Sequence, residues 1–277
     1  MGRIAGAAVR SLLVALLVAT PAATVPETAA DSSQIVILIA LIAAMMTFLE
    51  YTARSPCLLG FRDAPPFNRL RFGALFATVF MLSMIVRGHS TPSALSEALT
   101  SIGTILGHTI DFPFSPVRLV VLLLPEGAAP QVVDAVRTAA GLSYLVSLLA
   151  LAAFFVLVRA AHWPARGGSF NVWVNLPLFD PTAGGDVVHR LYRDGRLNIV
   201  LGFLLPFAIP AMVKLCSDLV DPVSLQHPQS LIWMMTAWAF LPASMIMRGL
   251  AMGKVADMIH DKRRRAYAEA HAVLQHG

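Results

Sequence analysis

Four polar residues close together in the sequence are the best candidates for catalysis: Asp180, Asp186, His189 and Arg190. A carboxylate and an imidazole can exchange protons with a substrate, and an arginine can hold a phosphate or carboxylate group. The cluster matches no catalytic motif, and the chain has no Walker motif, Rossmann glycine pattern or nucleophile elbow. A membrane enzyme is therefore an alternative for which we assign no catalytic residue and no cofactor.

Histidines would be the ligands of a haem or transition-metal site, but none of the eight falls inside a predicted membrane span. His89, His108 and Asp111 share one segment, and their spacing fits no known ligand signature. We expect no metal site here and interpret these side chains as polar residues at a membrane interface.

Basic residues form two clusters with recognisable chemistry. Arg190, Arg193 and Arg196 recur every third residue, so a helix over 185–196 would gather them on one side. The second cluster, near the C-terminus, contains Arg263, Arg264 and Arg265. Such clusters contact anionic lipid headgroups, phosphate groups or a partner protein. We assign the net charge of +5 to these contacts and expect no nucleic-acid binding.

The elements that must position these residues are apolar. Mean hydropathy is +0.69, and only 13% of the residues are charged, about half the share in a typical soluble domain. The apolar runs are long enough to cross a hydrocarbon core about 30 Å thick. We therefore predict an all-α, polytopic membrane bundle of about five spans, and expect the third helix to start at Gln131. The spans lie near 34–51, 72–87, 138–159, 197–217 and 230–250.

Residues 1–30 resemble a secretory signal peptide. Arg3 and Arg10 precede a short apolar run at residues 11–19. Cleavage after Ala23 or Ala30 would fit the rule that small residues flank the cleavage site. The alternative is an uncleaved first membrane helix, which gives six spans. On the first interpretation, the transmembrane domain covers 31–251 and a basic cytoplasmic tail covers 252–277.

Charge asymmetry predicts the orientation. The segments 52–71 and 160–196 and the tail 252–277 hold 13 of the 21 basic residues, whereas the outer segment 88–137 holds two. By the positive-inside rule, we expect a bacterial inner-membrane protein with its mature N-terminus outside and its C-terminus inside. The six-span alternative places both ends inside and fits the charges equally well.

The outer segment 88–137 predicts an amphipathic hairpin. Thr91 followed by Pro92 is typical of a helix start. One apolar face of that helix contains Leu95, Leu99, Ile102, Leu106 and Ile110. Residues 111–116 must break the helix, and the apolar run 117–124 is too short to span a membrane. We favour a hairpin on the outer membrane surface over a re-entrant pair inside the protein.

Small residues and prolines predict how the helices pack. Gly103 and Gly107, and also Gly249 and Gly253, have the GxxxG spacing that allows close helix contact. Prolines interrupt two spans and predict kinks: Pro206 and Pro210 in the fourth span and Pro242 in the fifth.

The tail is expected to continue as a helix. The segment 170–179 favours extended structure.

Ionisable residues are nearly absent from the middle of the spans, which disfavours pumps and ion-coupled transporters. We therefore predict a structural or accessory subunit that contacts lipids and other integral membrane subunits, or copies of itself. A transporter or channel is the alternative. The predicted topology, an outside start with five spans and an inside C-terminus, is similar to that of inner-membrane platform subunits of type IV secretion and conjugation systems. The similarity is one of topology, so it implies no site residue.

Overall fold

A computed structural model describes most of the chain. The described residues are 2–25, 30–54, 57–160, 163–164, 170–177, 179–180, 182, 184–216, 225 and 227–276. Arg166, one of the basic residues counted in the predicted charge asymmetry, lies outside them. Within the described residues the helices are α1 Gly2–Thr24, α2 Ala30–Thr52, α3 Phe67–Gly88, α4 Ala94–Ile110, α5 Pro116–Val121, α6 Pro130–Ala160, α7 Val172–Asn175, α8 Val187–Cys216 and α9 Pro228–His276.

Six of these helices, α1, α2, α3, α6, α8 and α9, are long and apolar enough to cross a membrane. The predicted all-helical membrane bundle is thereby confirmed. The five predicted spans fall within α2, α3, α6, α8 and α9, except that residue 217, at the end of the fourth span, lies outside the described residues. Helix α6 starts at Pro130, next to the predicted Gln131.

Helix α1 is the sixth and packs mainly against α2 and α3. Ala7 and Leu17 on this helix are buried. The Arg3 guanidinium donates hydrogen bonds to the carbonyl oxygens of Thr52 and Ala53, at 3.2 and 2.8 Å. These bonds satisfy carbonyls at the C-terminus of α2, which have no donor within their own helix. This packing supports the alternative in which the first helix is retained.

The bundle has two apolar cores, one near each end. The first core contains Val79, Leu82, Val117, Val120, Val136, Ile232 and Met235. The second core contains Phe61, Phe67, Phe154, Trp163, Leu176, Leu191, Met247 and Val255. Each of α3, α6 and α9 contributes to both cores. The structure thus gathers the described residues of the segments 52–71 and 160–196 and the start of the tail at one end, here called the basic end. The outer segment 88–137 lies at the other end.

The start of α4 differs from the prediction. Its N-cap is Ser93, which has an extended backbone and accepts a hydrogen bond from the Ser96 N–H at 3.2 Å. The Ser96 hydroxyl oxygen in turn accepts a hydrogen bond from the Ser93 N–H at 2.9 Å. The prediction of Thr91 as the cap is wrong, because its N–H and hydroxyl both donate to the carbonyl oxygen of Arg87 at the end of α3.

The hairpin of α4 and α5 packs onto the bundle. The predicted apolar face of α4 is divided: Leu99, Leu106 and Ile110 pack against the first core, whereas Leu95 and Ile102 are exposed. Small side chains form the most buried line of the helix: Ser96, Gly103 and Gly107. The short helix α5 lies against α6 and α8. At the break between α4 and α5, Ser115 and Pro116 are buried, whereas Phe112 and Phe114 are 56% and 86% exposed.

Two further predictions are corrected at the basic end. The segment 170–179 contains the short helix α7, capped by the Asn171 side chain, where extended structure was expected. The predicted helix over 185–196 and the span after it form the single helix α8. As predicted for the tail, helix α9 runs without a break past Met252, and the whole helix has 49 residues and is about 74 Å long.

Candidate interaction site at the basic end

An aromatic cluster packs the loops of the basic end together. The Phe61 ring lies 4.7 Å from Phe67 and 5.6 Å from Trp163, measured between ring centroids. The Trp163 indole N–H donates to the carbonyl oxygen of Ala64 at 3.2 Å. Asn175 joins α7 to the same segment, because its backbone oxygen accepts from the Phe61 N–H at 2.6 Å. The loops that connect the helices at this end are therefore cross-linked by side chains.

The first predicted arginine cluster is divided by the fold. Arg190 donates to the carbonyl oxygen of Asp180, and its guanidinium lies 4.8 Å from the Phe179 ring centroid. Arg193 is exposed and pairs with the neighbouring Asp194 at 3.0 Å. Arg196 lines a cavity between α6, α8 and α9. The three residues therefore have different surroundings, and a single phosphate cannot contact all of them in this arrangement.

The second cluster lies on α9 where the helix leaves the bundle. Arg263 donates to the Asp186 carboxylate at 2.6 Å, and this hydrogen bond holds the pKa of Asp186 below its usual value. Backbone N–H groups of Val188 and His189 lower the pKa further, because Asp186 also caps the start of α8. Arg264 and Arg265, the other two predicted residues, are exposed.

A second contact joins the same two helices six residues deeper along each of them. The Tyr192 hydroxyl donates to the carboxylate of Asp257 at 2.5 Å. Together with the pair of Asp186 and Arg263, this contact joins the start of α8 to α9 where α9 leaves the bundle. The exposed part of α9 therefore projects from two side-chain tethers rather than from a flexible linker.

The two predicted glycines at this end, Gly249 and Gly253, have different surroundings. A Cβ on Gly249 would lie 2.5 Å from the carbonyl oxygen of Gly195, so α8 and α9 touch through their backbones. Gly202 extends this seam, because a Cβ there would lie 2.6 Å from the Pro242 carbonyl oxygen. A Cβ on Gly253 would meet no atom within 4 Å, and Gly253 lines the cavity instead. Sequence reasoning missed Gly195 and Gly202, although they have an i, i+7 spacing on one helix.

The other predicted glycine pair lies at the opposite end, between α4 and α6. A Cβ on Gly103 would lie 2.7 Å from the Thr138 side chain, and one on Gly107 would lie 2.7 Å from the Arg137 carbonyl oxygen. On α6, a Cβ on Gly141 would lie 2.5 Å from the Gly107 Cα. These two helices are as close as backbone sterics allow.

The predicted prolines lie along the contact between α8 and α9. Because proline has no N–H, Pro210 leaves the carbonyl oxygen of Pro206 without its helical donor. Trp238 on α9 supplies the missing bond, with its indole nitrogen 3.0 Å from that oxygen. The third proline, Pro242, presents its carbonyl oxygen to Gly202.

The candidate catalytic cluster is engaged in structural contacts. Asp186 binds Arg263 and caps α8, and Arg190 holds the backbone of Asp180. Among the described residues, no group of three His, Cys, Asp or Glu side chains is placed to hold a metal ion. The arrangement explains these residues as parts of the loop and the tail contact.

Sequence reasoning missed an ionic cluster in the outer segment. The Asp111 side chain is only 4% exposed and lies 2.8 Å from the Arg118 Nε and 2.7 Å from the Arg137 Nε. Arg137 also pairs with the exposed Asp134. The residues are up to 26 positions apart, so only the fold brings them together. One available signal was that Arg118 and Arg137 are the only basic residues in this segment between the spans.

The basic end thus combines an aromatic core, a tethered projecting helix and a cavity lined by basic side chains.

No protein-family model matches this chain, and neither a curated protein nor a solved structure matches it.

Proposed function

We propose that this chain is a structural or accessory integral subunit of a multiprotein complex in a bacterial inner membrane. A secretion or conjugation platform is the kind of machine that such a subunit would fit. The observation that carries the proposal is helix α9, which is buried in the bundle over much of its first half and then continues into an exposed helix.

The exposed half of α9 has the composition of a docking segment. Arg264 and Arg265 are exposed, and Tyr267 and Leu274 are 68% and 79% exposed. Large apolar side chains beside a basic cluster favour a partner protein with an acidic surface and an apolar groove. The tethers at Asp186 and Asp257 support this function, because they reduce the entropy lost when a partner binds.

Transport and catalysis have weaker structural support. The groove beside Pro210 is lined by apolar side chains, and no ionisable residue is among the described residues that form it. Such a groove suits contact with lipid tails better than passage of a polar solute. Of the candidate catalytic residues, Asp180, Asp186 and Arg190 are occupied in structural contacts.

We assign the basic end to the cytoplasm by the positive-inside rule. With α1 retained, the chain has six spans and both termini on the cytoplasmic side. The gathering of Arg3, Arg10, Arg54 and Arg62 around one cleft supports this arrangement. It places the projecting part of α9 where cytoplasmic proteins can reach it.

The test is purification of the full chain in a gentle detergent through a C-terminal tag, followed by native mass determination. We expect other proteins to co-purify in stoichiometric amounts. The double variant Arg264→Glu, Arg265→Glu should lose the cytoplasmic ones, whereas Arg69→Glu, at an exposed arginine of another basic segment, should retain them. A wild-type chain that purifies as a monomer or homo-oligomer without partners would contradict the proposal.

A further inference from the structure

A cavity of about 470 Å³ lies at the basic end, between the last turn of α6, the start of α8 and the middle of α9. Three basic side chains line it, and each comes from a different helix: Arg159, Arg196 and Lys254. Among the described residues that form the lining, Asp257 is the one carboxylate, and it accepts a hydrogen bond from Tyr192. The cavity therefore carries an excess of two positive charges.

Each helix also contributes an apolar side chain one turn deeper than its basic residue. Phe155 lies one turn from Arg159 on α6, Ile199 one turn from Arg196 on α8, and Leu250 one turn from Lys254 on α9. Helices α6 and α9 run toward the basic end and α8 runs away from it. The deeper residue consequently precedes the basic one on α6 and α9 and follows it on α8.

Two glycines define the shape of this cavity. Gly249 touches the backbone of Gly195, which brings α8 and α9 together at its inner wall. One turn later Gly253 leaves open space, since a Cβ at this position would meet no atom within 4 Å. A larger residue at Gly253 would fill part of the cavity without disturbing the helix contact.

We propose that this cavity binds the phosphate group of an anionic membrane phospholipid. The phosphate contacts Arg159, Arg196 and Lys254, and an acyl chain lies along Phe155 and Ile199. A soluble phosphate compound would share the charge contacts, but it would gain nothing from the apolar layer. On all three helices a basic residue lies one turn above an apolar residue, and this arrangement favours a lipid over a free phosphate.

The test uses the full chain in detergent and native mass spectrometry with three probes: phosphatidylglycerol, phosphatidylcholine and inorganic phosphate. We expect one phosphatidylglycerol per chain to be retained in preference to phosphatidylcholine, and inorganic phosphate at equal concentration not to displace it. Arg196→Gln and Lys254→Gln should each weaken retention about fivefold, as one basic side chain near an anionic headgroup contributes roughly 1 kcal/mol.

Two further variants separate the cavity from general surface charge. Gly253→Leu keeps every charge and fills the cavity, so it should weaken retention at least as much as Arg196→Gln. Arg69→Gln removes an exposed charge outside the cavity lining and should leave retention unchanged. Equal retention by wild type and all variants would overturn the proposal. Binding of inorganic phosphate without lipid retention would also overturn it and would identify a soluble ligand instead.

Discussion

At the scale of single residues, Asp111 is the carboxylate whose surroundings differ most from what the sequence suggests. It is nearly fully buried between Arg118 and Arg137, which connect the loop after α4 to α5 and α6. A buried charge of this kind is stable only while its partners remain. Removing it takes the Asp111 carboxylate away from Arg118 and leaves Arg137 with the exposed Asp134 as its partner.

We expect Asp111→Asn to lower the free energy of unfolding by about 3 kcal/mol. Thermal unfolding of the purified chain in detergent, followed by circular dichroism, would measure the change. Asp134→Asn is the matched control, because Asp134 pairs with the same Arg137 but is 58% exposed. It should cost less than about 1 kcal/mol. Equal effects of the two substitutions would show that burial of Asp111 contributes nothing.

The hydrogen bond between Trp238 and the Pro206 carbonyl oxygen gives a second prediction. Trp238→Phe should destabilise the fold by about 1–2 kcal/mol, since the carbonyl then has no donor. In a Pro210→Ala background the alanine N–H can bond to Pro206 in the normal helical pattern, so the same substitution should cost less. A double-mutant cycle measured by unfolding in detergent would detect this coupling. Additive effects would argue against it.

The charge on Asp186 predicts a dependence on pH. Arg263 holds the pKa of this carboxyl below its unfolded value near 4, so the contact contributes fully above that value. It is lost as the pH falls through the lowered pKa. A spin label at Ala268→Cys should therefore gain mobility below about pH 4. Asp186→Asn keeps a capping side chain, and its label should be mobile at neutral pH without responding to acid.

At the scale of elements, the seam between α8 and α9 depends on the absence of side chains at Gly195, Gly202 and Gly249. Gly249→Ala should lower stability by about 1–3 kcal/mol, because its Cβ would lie 2.5 Å from a backbone oxygen. Gly253→Ala on the same helix meets open space and should be neutral or slightly stabilising. Unfolding measurements on the pair would test this, and equal destabilisation would show that the seam is not rigid.

Long apolar runs predict the helices well, because length and hydropathy alone decide whether a segment can span a membrane. The alternation of basic segments also predicts which loops share an end, and the two cores agree with it. Local signals were less informative at helix ends, where a polar residue can bond to the helix before it or to the helix after it. Thr91 precedes a proline, which is typical of a helix cap, but its N–H and hydroxyl bond to the end of α3 instead.

The contacts that define the candidate site could not be predicted from spacing. The pairs Asp186 with Arg263 and Tyr192 with Asp257 are separated by 77 and 65 positions, so they depend on the register of α8 against α9. That register is set by glycines whose partners lie on the other helix. A single sequence shows the position of each glycine, but it does not show which residue of the other helix that glycine contacts.

At the scale of the whole molecule, the fate of α1 decides the number of spans. Its packing against α2 and the bonds from Arg3 to Thr52 and Ala53 lead us to expect that residues 1–30 are retained. The intact mass of the membrane-extracted protein would show this directly, with the full-length value of 29.8 kDa expected. A mass lower by the first 23 or 30 residues would establish a signal peptide and five spans.

Helix α9 also gives the molecule a mechanical property. Its last 20 residues, from Asp257 onward, extend about 30 Å as one rod, so a tilt of about 10° at the bundle moves the tip by about 5 Å. Because the rod is anchored to the start of α8, a small rotation between these two helices becomes a larger displacement far from the membrane. On the proposed function, a partner bound at the tip would therefore be displaced farther than the helices that move inside the bundle.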